Sequence, residues 1–81
     1  MSQHYVPPAD VVDPWVGAVR PSRLLITLLE RDGQIVPLLV SEVNGEFHIA
    51  LDGVQRERLA ALRVLGWPTV LVETEWTDDD L

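Results

Sequence analysis

Asn44-Gly45 is the point from which the chain is best read in both directions. Both residues tolerate positive φ, as a two-residue hairpin turn requires, and apolar runs flank the pair. Upstream, residues 35–43 are rich in Val, Ile and Leu with almost no polar break, so they read as a central strand covered on both faces. Pro37 cannot donate to a strand ladder, which puts it at the strand start or at a bulge. Downstream, residues 46–51 alternate cleanly, with Phe47, Ile49 and Leu51 on one face and Glu46, His48 and Ala50 on the other. A hairpin with an apolar face is not stable alone, so the flanking segments must cover it.

Two segments have the periodicity to do so. In residues 52–66, Asp52-Gly53 forms a tight joint that calls on glycine's backbone freedom. Leu59, Leu62 and Leu65 then share a helical face, with Ala61 and Val64 beside them, and Gly66 closes the helix. Residues 20–32 make the other helix: Pro21 suits its first position, Leu24, Leu25, Leu28 and Leu29 form a buried stripe, and Gly33 stops it. Ile26 falls away from that stripe. The stripe is expected to cover a sheet, with a dimer face as the alternative. Tyr5-Val6 reads as a short edge strand cut off by Pro7-Pro8, and residues 9–15 as a turn that tucks Val11, Val12 or Trp15 onto the core. Residues 69–74 supply the last strand, Val70 and Val72 alternating with Leu71 and Glu73. The 81 residues allow one domain, spanning 1–81 with loose ends at 1–4 and 77–81. The order strand, helix, hairpin, helix, strand gives an α+β fold, a small mixed β-sheet with two packed helices.

The start of the second helix carries the chemistry. Free N–H groups and the positive end of the helix dipole make it a natural anion site. Arg56 and Arg58 stand there against the usual preference for acidic residues, a conflict that a bound phosphate would relieve. All six basic residues are arginine, and three of them (Arg56, Arg58 and Arg63) fall in this one helix. The net charge of −7 argues against tight DNA binding by this chain alone. With no cysteine, disulfides, thiol chemistry and cysteine-ligated zinc are excluded. No leader and no apolar run of membrane-spanning length is expected, which favours a cytoplasmic setting. His4 and His48 lie far apart, paired carboxylates occur only in the tail at 78–80, and no catalytic set of residues and no metal site emerge. The acidic tail reads as a solvated end, or as a phosphate mimic over the arginines.

With these segments in place a family resemblance can be named. The stretch Gly33-Gln34-Ile35-Val36-Pro37-Leu38, a hairpin, Gly53-Val54-Gln55-Arg56-Glu57-Arg58-Leu59-Ala60, and then Leu65-Gly66-Trp67-Pro68 resemble the N-terminal domain of ParB-type partition proteins. The wider group is the ParB/sulfiredoxin fold, and the resemblance covers roughly residues 5–77. It implies a bacterial or phage-encoded domain that binds CTP, or another NTP with Mg2+, and acts in DNA partition or regulation. By position it makes Gly53 the turn glycine and Arg56 the phosphate-contacting arginine. Val54, Gln55 and Arg58 complete the turn, and Gly33, Gln34 and Pro37 border the nucleotide. Val54 and Gln55 replace the Glu-Arg pair typical of ParB turns. The later Glu-Asn-x-x-Arg segment and the helix-turn-helix do not occur in these residues, and neither does the sulfiredoxin cysteine. The alternative is a protein-interaction module with a vestigial nucleotide site, presenting an acidic surface with Trp15, Trp67 and Trp76 to a partner or a second copy. An NTPase, or less readily a metal nuclease using Asp52, is the enzymatic alternative.

Overall fold

The computed structural model describes residues 2–15, 17–34 and 36–74. Ile35, Trp76 and the acidic tail therefore lie outside the described residues. The fold is α+β, with a five-stranded mixed sheet and two helices. Strands β1 (Gln3–Val6), β2 (Val11–Val12), β3 (Leu38–Val43), β4 (Glu46–Ile49) and β5 (Val70–Thr74) are arranged in the order β1-β5-β3-β4-β2. Helix α1 spans Arg23–Asp32 and α2 spans Gly53–Leu65.

The hairpin forms as its turn dictates. Asn44 and Gly45 take φ of 51° and 81°, the two positive values of a type I′ turn, and pair Val43 with Glu46. β3 starts just after Pro37, so the missing N–H falls outside the ladder. Its burial alternates: Leu38 and Val40 are buried, Leu39 and Ser41 half-buried, Glu42 and Val43 exposed. The expectation of a strand covered on both faces is therefore corrected. Helix packing covers one face, and β4 ends at Ile49, leaving Leu51 exposed before α2. The core is Val11, Leu38, Val40, Ile49, Leu59, Leu62, Val70 and Val72.

β1 and β2 are opposite edges of the sheet, yet only residues 7–10 join them. In a flat five-stranded sheet the edges would lie about 19 Å apart at ~4.8 Å per strand. The link includes a 3-10 turn, Pro8–Asp10, that rises only ~2 Å per residue, too short for a flat sheet. The sheet is accordingly curled, and the ring of His4 on β1 comes within 5.2 Å of that of Phe47 on β4. Residues 2–4, read from sequence as a loose end, are instead tied down: Gln3 and His4 pair with Glu73 and Val72, and the Ser2 amide donates to Thr74 Oγ1.

α2 packs onto the sheet with Leu59, Ala61 and Leu62 buried, and Gly66 closes it at φ 67°. α1 departs from expectation. It starts at Arg23, because Ser22 Oγ accepts the Leu25 N–H at 3.1 Å and so caps the first turn, leaving Pro21 outside the helix. It rests chiefly on α2 and not on the sheet. No α1 residue is fully buried, and of its leucine stripe only Leu25 and Leu29 are partly covered, while Leu24 is 68% exposed and Leu28 also faces out.

Candidate functional site

Asp52, in extended conformation, caps α2: its carboxylate accepts the Val54 N–H at 2.8 Å and its carbonyl accepts the Arg56 N–H at 2.9 Å. Among the described residues, the amides of Gly53 and Gln55 have no hydrogen-bond partner. Gly53 is the first helical residue, with no positive φ. The tight joint is thus made by the extended Asp52, and glycine's backbone freedom is not what it requires. What glycine leaves is space, for nothing lies within 4 Å of where a Cβ would stand. The turn therefore has two free donors at the positive end of a 13-residue helix, one on the exposed Gly53 and one on the buried Gln55.

Three side chains expected at a ligand are turned to the protein instead. Gln55 is buried, and its Oε1 accepts the Leu39 N–H at 3.1 Å, bonding α2 to β3. Gln34 donates to the Leu71 carbonyl at 2.7 Å and accepts the Leu71 N–H at 2.7 Å, replacing a strand neighbour for β5. A long amide with both a donor and an acceptor suits each place, because a strand edge offers both kinds of group. Arg56, expected as the phosphate-contacting arginine, is enclosed. Its Nε lies 3.0 Å from Asp13 Oδ2, with the two side chains 14% and 18% exposed, and its Nη2 donates to the carbonyls of Gly17 at 2.8 Å and Trp15 at 3.4 Å. Arg63 makes comparable bonds to the carbonyls of Pro8 and Val11. Arg56 and Arg63 are seven residues apart and lie on one face of α2, where they fasten residues 8–17 to the helix.

Arg58 projects from the other side of α2 and has no carboxylate partner among the described residues. Two hollows between α1 and α2 share Leu25, Leu28 and Arg58. One, of about 260 Å³, reaches Val54 in the first turn of α2. The other, of about 200 Å³, ends at Asp32, Gly33 and Gln34 and is floored by Leu38 and Leu62. Asp32 at that end is paired with Arg31 at 2.9 Å, and the bond holds the Arg31 guanidinium above its ordinary pKa. So Val54, Arg58, Gly33 and Gln34 line one groove, Arg56 lies across the helix from it, and Gly53, Gln55 and Pro37 line no hollow described here. The apolar walls from α1 were not anticipated as part of a site. Their signal in the sequence was Leu24 and Leu28, leucines that α2 alone cannot cover.

Of the tryptophans, Trp67 packs against the core, and Trp15, although partly exposed, donates its indole N–H to the Ile49 carbonyl at 3.1 Å. Among the described residues, no helix is long and apolar enough to cross a membrane, and no group of three or more metal-ligating side chains occurs.

Sequence comparison with known families and with curated proteins finds no match. Comparison of folds does find similar structures. Sulfiredoxin from Arabidopsis thaliana aligns with a TM-score of 0.67 and 21% identity, covering 98% of this chain and 91% of its own. The C-terminally truncated chromosome-partitioning protein ParB from Caulobacter crescentus, complexed with CTP-gamma-S, aligns with a TM-score of 0.67 and 22% identity over 98% of this chain. This chain spans 47% of that ParB chain.

Proposed function

On a ParB/sulfiredoxin-like fold, we propose that this chain binds a nucleotide, CTP or another NTP, or a related phosphate-bearing ligand. The phosphate chain lies across the first turn of α2, and the less polar part lies in the groove between α1 and α2. One observation carries the reading: Val54, flanked by the Gly53 and Gln55 amides that have no partner among the described residues, and Arg58, which has no carboxylate partner among them, line the open, largely apolar hollows between α1 and α2. Backbone donors, a helix dipole and a guanidinium are the elements with which proteins hold phosphate. The CTP analogue bound by the similar ParB structure supports the same class of ligand. Asp52 is the acidic residue at the turn, and its carboxylate already serves the helix cap. A lone carboxylate does not make a protein Mg2+ site, so Mg2+ would arrive bound to the phosphates, where it supplies charge neutralisation. The reading is one of binding, in DNA partition or regulation within the cytoplasm.

A protein-interaction module is the second reading, favoured by the exposure of Leu24, Leu28 and Val54 along the same groove. Titration of 15N-labelled protein with CTP, ATP and inorganic tripolyphosphate separates the two. Ligand binding should move the Gly53 and Gln55 amide signals, and Arg58→Gln should weaken it by about tenfold, the loss of a charged hydrogen bond. Unmoved amides up to millimolar ligand would transfer the assignment to the interaction module.

A further inference from the structure

Arg56 stands in the turn that the sequence marks as an anion site, and its guanidinium already holds a carboxylate. The Asp13 carboxylate accepts Arg56 Nε–H through both oxygens, at 3.0 and 3.2 Å, in a largely enclosed contact. Asp13 is itself aimed: its Oδ1 accepts the Trp15 N–H at 3.1 Å, a two-residue Asx turn that fixes the carboxylate at the guanidinium. A carboxylate on a guanidinium offers the charge and oxygen geometry of a phosphate. Beside the pair lies a hollow of about 340 Å³, lined by Asp13, Trp15, Gly17, Arg56 and Arg63 among others.

We infer that Asp13 is a built-in competitor for Arg56, which sets the affinity of the α2 site by holding this arginine until a phosphate displaces it. The inference rests on the proposed ligand reading and adds its regulation. Helix side chains lean toward the N-terminus, so Arg56, once it leaves Asp13 and the Gly17 and Trp15 carbonyls, can reach toward the Gly53 turn. Arg58 lies on the opposite side of the helix, and a phosphate chain across the helix end meets both. Internal competition lowers apparent affinity by the fraction of molecules in which Arg56 is free. If that fraction is about one in ten, removing the competitor tightens binding about tenfold.

The test is calorimetric titration of inorganic tripolyphosphate into wild type, Asp13→Asn, and Asp13→Asn combined with Arg56→Gln, with a thermal melt of each. Asparagine keeps the acceptor for the Trp15 N–H and removes the charge. The expected result is binding about tenfold tighter for Asp13→Asn, with the gain abolished in the double variant. Binding by Asp13→Asn alone supports the inference equally. If wild type binds and Asp13→Asn, folded by its melt, binds no tighter, the competitor inference fails while the ligand reading stands. A gain that persists in the double variant also overturns it, because Arg56 would then not be the group released. Absence of binding by all three overturns the ligand reading and the competitor with it.

Discussion

Replacing Arg56 by alanine should destabilise the protein far more than a helix-surface change. From sequence, Arg56 stands in an exposed first turn, where a substitution usually changes stability by under about 0.5 kcal/mol. In the fold its guanidinium bonds the Asp13 carboxylate and the carbonyls of Trp15 and Gly17, with both members of the ion pair mostly enclosed. Truncation leaves a partly buried carboxylate without its counter-charge and the Gly17 carbonyl without its donor. A hydrogen bond to a charged group is worth about 1.5–3 kcal/mol, and breaking a fully buried pair costs about 3–5 kcal/mol. The partial exposure of this pair places the loss near 2–3 kcal/mol. For a domain of this size each kcal/mol lowers Tm by about 4–8 °C, so a fall of roughly 10–20 °C is expected. Urea unfolding followed by tryptophan fluorescence measures it, with Trp15 adjoining the broken contact. A double-mutant cycle with Asp13→Asn should give a coupling of at least about 1 kcal/mol. A loss below about 0.5 kcal/mol, or no coupling, would refute the view that Arg56 fastens residues 13–17 to α2.

Gln34→Ala should remove both bonds to Leu71 and destabilise by about 1–3 kcal/mol, with faster hydrogen exchange at the Leu71 amide as the specific sign. Gly66→Ala should cost about 1 kcal/mol or more in a urea melt, because the helix ends there at φ 67°, a region that strains any residue with a Cβ. With a net charge of −7, the protein should bind duplex DNA no better than non-specific binders do, about 10⁻⁴–10⁻⁶ M, in a gel shift at physiological salt.

The fold was legible where local chemistry is decisive. Asn44-Gly45 dictates a type I′ turn whatever surrounds it, and the Leu59–Leu62 spacing and Gly66 dictate the core helix and its end. Long-range geometry was not. The leucines of α1 give the same periodicity whether the helix lies on a sheet or on another helix, so the exposure of Leu24 is decided by where α2 sits. The site divides in the same way. The α2 turn follows from its own residues. That Arg56 meets Asp13, 43 positions away, and that Gln34 and Gln55 serve strand backbones, depends on contacts that no spacing encodes. An arginine at a helix start reads the same whether it awaits a ligand or a distant carboxylate.

The curled sheet also has a consequence for synthesis. Both of its edges are closed by the first twelve residues, β1 along β5 and β2 along β4. β1 finds its partner only when Glu73 and its neighbours have been made, so residues 3–6 wait for residues some 64 to 70 positions further on. Such distant pairing forms late, after the hairpin and α2 have closed their shorter loops. Until it does, the β5 edge and the β4 edge stand open together, each able to pair with another copy. An emerging chain is thus most prone to self-association in the interval before residues 2–12 fold back, and a chaperone that held those residues would prolong that interval.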